Sequence, residues 1–137
     1  MMEYSTEERF VRTYIRKSRQ DRLLYELTDP EKRYRGLDRF CHQSKELIDP
    51  DKILMSGKDL DGSKELEKFI KQHDEDCLIL SPDSFIDNTS MKLKEAIEAA
   101  LMSFDAVIIL GDDFAIVFGE VGKGGRDRFL LMEKPVK

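Results

Sequence analysis

The sequence has few of the features that mark secreted, zinc-knuckle or membrane proteins. It has two cysteines, Cys41 and Cys77, which form no C-x-x-C pair. This excludes a disulfide framework and a zinc knuckle. No apolar run approaches the ~18 residues that span a bilayer. The start, Met1–Ser5, lacks a basic segment followed by an apolar run, so we expect no signal peptide and a reducing, cytoplasmic location without membrane contact.

Charge is what the sequence has in abundance. The 137 residues include 23 Lys+Arg and 28 Asp+Glu, which makes 37% charged and a net charge of −5. The length predicts one domain, 1–137, with a helical N-terminal part (1–48) and a mixed α/β part (49–137). The first part has 11 basic and 9 acidic residues, whereas the second has 12 and 19. This overall acidity argues against a dedicated nucleic-acid binder, although a local basic stripe could still contact phosphates.

Hydrophobic periodicity predicts the elements. Ser5 and Glu8 form a capping-box pattern, which predicts a helix whose apolar stripe is interrupted by a polar middle and resumes at Leu23. A second helix, 31–48, completes an N-terminal helical pair. The rest of the chain predicts helices over 64–73 and from Asn88 or Thr89 to Phe104, and strands over 52–56, 77–81, 106–110, 114–120 and 128–132.

The predicted fold class is α+β, with the element order ααβαβαβββ. Two β-α-β crossovers, which are right-handed as a rule, make the first three strands parallel. The last strands then add an antiparallel β-meander, giving a mixed five-stranded sheet. The strand from Cys77 to Ser81 is almost continuously apolar, a pattern typical of strands buried on both faces.

Polar residues follow the first three predicted strands. Ligands of open α/β sheets bind outside the carboxyl ends of the strands, and those ends would share one edge here. Carboxylates there could hold Mg²⁺ and orient a phosphate ester, while a lysine neutralises its charge. The same residue types also form ordinary turns and helix caps. The candidate ligand or metal residues are Lys58, Asp59, Asp83, Asp112 and Asp113.

Two basic segments are candidate surfaces for an anion or a partner. Arg12, Arg16 and Arg19 would share one face of the first helix, and Lys123 and Arg126 belong to a glycine-rich loop. Such loops can hold a phosphate with backbone N–H groups. The alternatives are a solvated helix face paired with nearby carboxylates, and a hairpin loop that uses glycine for positive φ.

No complete catalytic constellation is visible, so the sequence leaves open whether the protein is an enzyme. The first hypothesis is a non-catalytic protein-interaction or regulatory module, with another protein or a second copy of the chain as partner. The alternative is a small phosphoesterase or nucleotide-binding enzyme that uses Mg²⁺ and the strand-end carboxylates. A second alternative is nucleic-acid backbone binding through the Arg-rich N-terminal helix, with strong salt dependence.

Overall fold

A computed structural model describes residues 5–57, 64–121 and 126–136. Its strands are β1 (Ile53–Ser56), β2 (Asp76–Leu80), β3 (Ser90–Lys92), β4 (Val107–Leu110), β5 (Phe114–Phe118) and β6 (Arg128–Met132). Its α-helices are α1 (Thr6–Tyr14), α2 (Gln20–Thr28), α3 (Arg33–Leu47), α4 (Lys64–Gln72) and α5 (Leu93–Met102). The described strands form one six-stranded sheet in the order β1-β6-β5-β4-β2-β3. Every neighbouring pair is antiparallel.

The fold is α+β, but the predicted five-stranded sheet with three parallel strands is wrong. The short strand β3 is the reason, because it pairs with β2 before α5 begins. The chain therefore reverses direction once more than predicted, and β4 returns antiparallel to β2. The first strand is also misplaced, since β1 pairs with β6 at the far edge of the sheet.

Helices cover both faces of the sheet. One face packs against α1, α2 and α3, and the other packs against α4 and α5. Neighbouring residues of a strand point to opposite faces. Thus Ile108 belongs to the first core and Ile109 to the second. Strands buried on both faces are typical of parallel sheets. In this protein the strands of an antiparallel sheet are buried on both faces.

The first helix is shorter than predicted. Ser5 caps it by accepting a hydrogen bond from the Glu8 N–H at 3.1 Å, but the helix ends at Tyr14. Ile15 forms an antiparallel bridge with Ile48 that takes the backbone out of the helix. A 3₁₀ turn at Lys17–Arg19 and then α2 follow. A single helix through the polar middle is therefore wrong.

Antiparallel pairing gives the sheet two different ends. The end that we call the polar end holds the β4–β5 turn, Gly111–Asp113, and the segment His73–Glu75 before β2. The end that we call the apolar end holds the β2–β3 loop (81–89), the α5–β4 connection (103–106) and the segments after β5 and before β6. These two ends position the candidate sites.

Candidate functional site

The predicted strand-end carboxylates lie at opposite ends of the sheet. Asp83 follows β2 at the apolar end, whereas Asp112 and Asp113 follow β4 at the polar end. This separation follows from the antiparallel pairing of β2 and β4, since the carboxyl ends of antiparallel strands point in opposite directions. Lys58 and Asp59 lie outside the described residues. The described carboxylates therefore do not converge on one Mg²⁺ site.

A histidine and two carboxylates meet at the polar end. His73 Nδ1 lies 3.7 Å from Glu75 Oε1 and 3.9 Å from Asp113 Oδ1. The imidazole stacks on Phe69, with ring centroids 4.1 Å apart, and meets the edge of Phe114 at 5.2 Å. These aromatic contacts hold the ring beside the carboxylates.

Backbone hydrogen bonds hold the Glu75 carboxylate and the β4–β5 turn of this cluster in place. The Asp112 N–H donates to Glu75 Oε2 at 2.9 Å. Arg9 Nη1 donates to the Gly111 carbonyl at 2.9 Å, which ties α1 to the β4–β5 turn. The Asp113 carbonyl accepts from the Glu133 N–H at 2.9 Å. The turn that bears Asp113 is thus held from two sides while its side chain stays accessible.

The polar end is electrostatically negative. Burial, followed by the carboxylates of Glu75 and Asp112, raises the pKa of the Cys77 thiol to about 12. Burial also raises the pKa of the Tyr14 phenol, with the carboxylates of Glu133 and Asp113 acting in the same direction and the Arg9 guanidinium acting against them. Both groups resist losing a proton because a new anion there would be poorly solvated and would face existing negative charge.

The apolar end exposes an unusual amount of hydrophobic surface. Phe85 is 92% exposed, Met102 84% and Phe104 79%, and Leu101 and Val121 are also exposed. Single exposed apolar side chains are normal, but contiguous groups of them mark interaction surfaces. We call these five residues the apolar patch.

Hydrogen bonds bring the segments of the apolar patch together. The Val121 N–H donates to the Phe104 carbonyl at 3.0 Å. Asp83 links the β2–β3 loop to the α5–β4 connection. Its Oδ2 accepts from Ser103 Oγ and its Oδ1 accepts from the Phe85 N–H, both at 3.0 Å. Asp83, a predicted metal ligand, thus organises the loop that presents Phe85.

Arg126 binds backbone carbonyls at the apolar end. Its guanidinium donates to the carbonyls of Gly119 at 2.7 Å and of Ala100 and Asp105 at 2.8 Å each. Burial lowers the pKa of this guanidinium. Because Arg126 donates to three carbonyls, it has few donors left for an anion. Lys123, the other candidate in this loop, lies outside the described residues.

The basic N-terminal segment divides into one paired and two exposed arginines. Arg12 contacts Asp21 at 3.2 Å and donates to Gln20 Oε1 at 3.1 Å. Arg16 and Arg19 are exposed beyond the end of α1. The predicted shared helix face of these three arginines is therefore not formed, although two of the cations remain accessible.

An arginine with two carboxylate partners joins the helices to the sheet. Arg33 binds Asp87 through two nitrogens, at 3.1 and 2.9 Å, and contacts Glu7 at 3.2 Å. The hydrogen bond to Asp87 raises the pKa of this arginine. Beside it lies an open cleft of about 200 Å³ that Tyr34 and Ser81 help to line. This volume is below the ~300 Å³ at which small-molecule sites usually begin.

Sequence reasoning missed the two groupings that the structure assembles. The predicted helix over 64–73 ends at His73, and nothing in the sequence links Glu75 to that residue. A signal for the apolar patch is present, since Leu101 and Phe104 are apolar residues near the end of the helix predicted to reach Phe104. Both are exposed, Leu101 on the outer side of α5 and Phe104 beyond the end of that helix.

Comparisons with models of known protein families, with curated proteins and with solved structures find no match to this chain. Among the described residues, no helix has the length and apolar character needed to cross a membrane. Function is therefore inferred from the geometry of the side chains.

Proposed function

We propose that this protein is a non-catalytic, cytoplasmic interaction module that binds a second copy of itself through the apolar patch. The observation that carries this proposal is the exposure of Phe85, Met102 and Phe104 at one end of the sheet. Burying such side chains against a partner is the main favourable term in most protein association.

The area of the patch supports a dimer. Each of the two phenylalanines presents on the order of 150–200 Å². With Leu101, Met102 and Val121 added, the five side chains supply a large part of the ~800 Å² per partner of a standard interface. The largest apolar patch of a typical monomer covers about 300–600 Å².

A second copy is the occupant that needs the fewest assumptions. A two-fold interface requires one surface that complements itself, and an apolar surface meets that condition. The polar groups that hold the patch together are already satisfied within the chain, since Arg126 and Asp83 bond to neighbouring backbone and hydroxyl groups. Docking would therefore bury few unpaired polar groups.

Light scattering after size exclusion tests the proposal. The wild type should approach twice the chain mass of 16.0 kDa as its concentration rises. Phe104→Asp should return it to the monomer mass, because a buried unpaired carboxylate opposes association. The matched control is Tyr34→Asp, which places the same charge at another exposed aromatic residue, on α3. A wild type that stays monomeric at submillimolar concentration would exclude the dimer.

Nucleic-acid binding is the alternative that a specific observation favours, namely the exposure of Arg16 and Arg19. It predicts retention of RNA or DNA on a filter at low salt, lost steeply as salt rises. The double variant Arg16→Ala, Arg19→Ala should abolish that retention and leave the dimer intact. The proposed dimer and this alternative thus respond to different substitutions.

A further inference from the structure

We propose that His73, Glu75 and Asp113 bind a divalent transition-metal ion, with Zn²⁺ as the best-suited probe. This site is independent of the proposed dimer, because it lies at the opposite end of the sheet. Its three donor atoms all lie within 4.8 Å of one another.

The donor geometry fits one ion. Tetrahedral Zn²⁺ with bonds of about 2.1 Å separates its ligand atoms by about 3.4 Å. His73 Nδ1 already lies 3.7 Å from Glu75 Oε1 and 3.9 Å from Asp113 Oδ1. Small movements therefore close the site, and Asp113 is the ligand best able to make them because its side chain is exposed.

A second histidine–carboxylate cluster shows by contrast why the first one is suited to metal. In that cluster, Asp38 faces His42 Nε2 at 3.5 Å, and Glu120 faces Nδ1 at 3.6 Å. The two carboxylates thus lie against different ring nitrogens. Its donor atoms also lie within 4.8 Å of one another, but the shortest contacts of its two carboxylates go to different nitrogens, and its histidine is more exposed than His73. At His73 both carboxylates face the same nitrogen, Nδ1, which is where one ion can collect all three ligands.

The surroundings hold the ligands in place and favour a cation. Phe69 and Phe114 fix the imidazole, and the Asp112 N–H fixes the carboxylate of Glu75. Contacts of this kind around the ligands orient them for the metal. The carboxylates of Glu75, Asp112 and Asp113 are gathered at this end and attract a divalent ion.

The ligand set selects the class of metal. One imidazole nitrogen and two carboxylate oxygens suit Zn²⁺ and its neighbours in the first transition row. Mg²⁺ prefers oxygen donors only and keeps much of its water, so it should bind far more weakly. The polar end would thus be a transition-metal site, whereas the sequence suggested Mg²⁺ at carboxylates alone.

Calorimetric titration of the full chain with ZnCl₂ tests the site. We expect one ion per chain and little heat with MgCl₂. Asp113→Asn and Glu75→Gln should each weaken Zn²⁺ binding at least about tenfold, because each replaces a charged ligand with a neutral amide of the same shape. The amide oxygen of Glu75→Gln can still accept from the Asp112 N–H, and circular dichroism with thermal unfolding checks that both variants fold.

The matched control is His42→Asn, which removes the histidine of the other cluster. It should leave Zn²⁺ affinity unchanged, and Co²⁺ bound to the wild type should show visible absorption that Asp113→Asn alters. Absence of Zn²⁺ binding at millimolar metal would overturn the proposal. So would Zn²⁺ binding that survives Asp113→Asn and Glu75→Gln, or that falls as much with His42→Asn.

Discussion

The two ends of the sheet differ in how they treat their aromatic side chains. At the polar end, Phe114 is fully buried and packs against Phe69 and His73. At the apolar end, Phe85 and Phe104 are exposed to solvent, and hydrogen bonds fix the backbone of the segments that carry them. One end thus uses aromatic rings to support a charged cluster, and the other uses polar groups to support an apolar surface. This contrast is why we propose ion binding at the first end and docking at the second.

Alanine substitutions of one phenylalanine at each end should give the largest difference. Phe114→Ala should lower the free energy of unfolding by about 3–5 kcal/mol, because it opens a cavity in a packed core. Phe104→Ala should change it by no more than about 0.5 kcal/mol, as expected for an exposed side chain. Urea denaturation at low protein concentration, where no dimer contributes, measures both. Equal losses of unfolding free energy in the two variants would contradict the difference described between the two ends.

Removal of the arginine that holds the apolar end should have the next largest effect. Arg126→Met keeps much of the side-chain volume but leaves three carbonyls without their donor, so we expect a loss of about 2–3 kcal/mol. The same substitution at exposed Arg19 is the control and should be nearly neutral. Urea midpoints for the two variants make the comparison. Similar midpoints would show that the three hydrogen bonds contribute little.

The two histidines should differ by a smaller amount. His73→Ala loses its contacts with two aromatic rings and should cost about 1–2 kcal/mol without added metal. His42→Ala removes a half-exposed side chain and should cost at most about 0.5 kcal/mol. Thermal unfolding in the presence of a chelator compares them, and a larger loss for His42→Ala would contradict the packing described for the polar end.

The smallest effect is expected for the Cys77 thiol, whose contribution to the free energy of unfolding changes with pH only in alkali. In the unfolded chain its thiol loses a proton near pH 9.0, whereas in the folded protein its pKa is about 12. Above pH 9 the unfolded state binds fewer protons, so stability falls as pH rises through this window. Cys77→Ala should abolish this part of the decline. Urea midpoints of the two proteins against pH check it, and parallel curves would contradict it.

The layered character of the fold could be foreseen, but its strand directions could not. The apolar run Cys77–Ser81 predicts a strand covered on both faces, and most of its residues are buried. The error came from Ser90–Lys92, because three residues are too few to show a strand period against the helix pattern that follows. One unrecognised short strand reversed β4 relative to β2 and separated Asp83 from Asp112.

The candidate sites were less predictable than the fold because they depend on those directions. The sequence indicates Asp112 and Asp113 as candidate ligands, yet their neighbours at the polar end come from the segment before β2, not from the loop after it. The outward turn of Phe104 depends on where α5 ends, and Met102, not Phe104, is its last residue. Helix boundaries of this kind are poorly determined by local pattern.

Methionine-methyl NMR over a range of protein concentrations tests the central claim most directly. The sequence has six methionines, of which Met102 is exposed at the apolar patch, while Met55, Met91 and Met132 are partly buried elsewhere. Self-association through the patch predicts that the Met102 signal shifts as concentration rises, that the other three stay in place, and that Phe104→Asp abolishes the shift. A Met102 signal that does not respond to concentration would contradict the assignment of the apolar end as the interface.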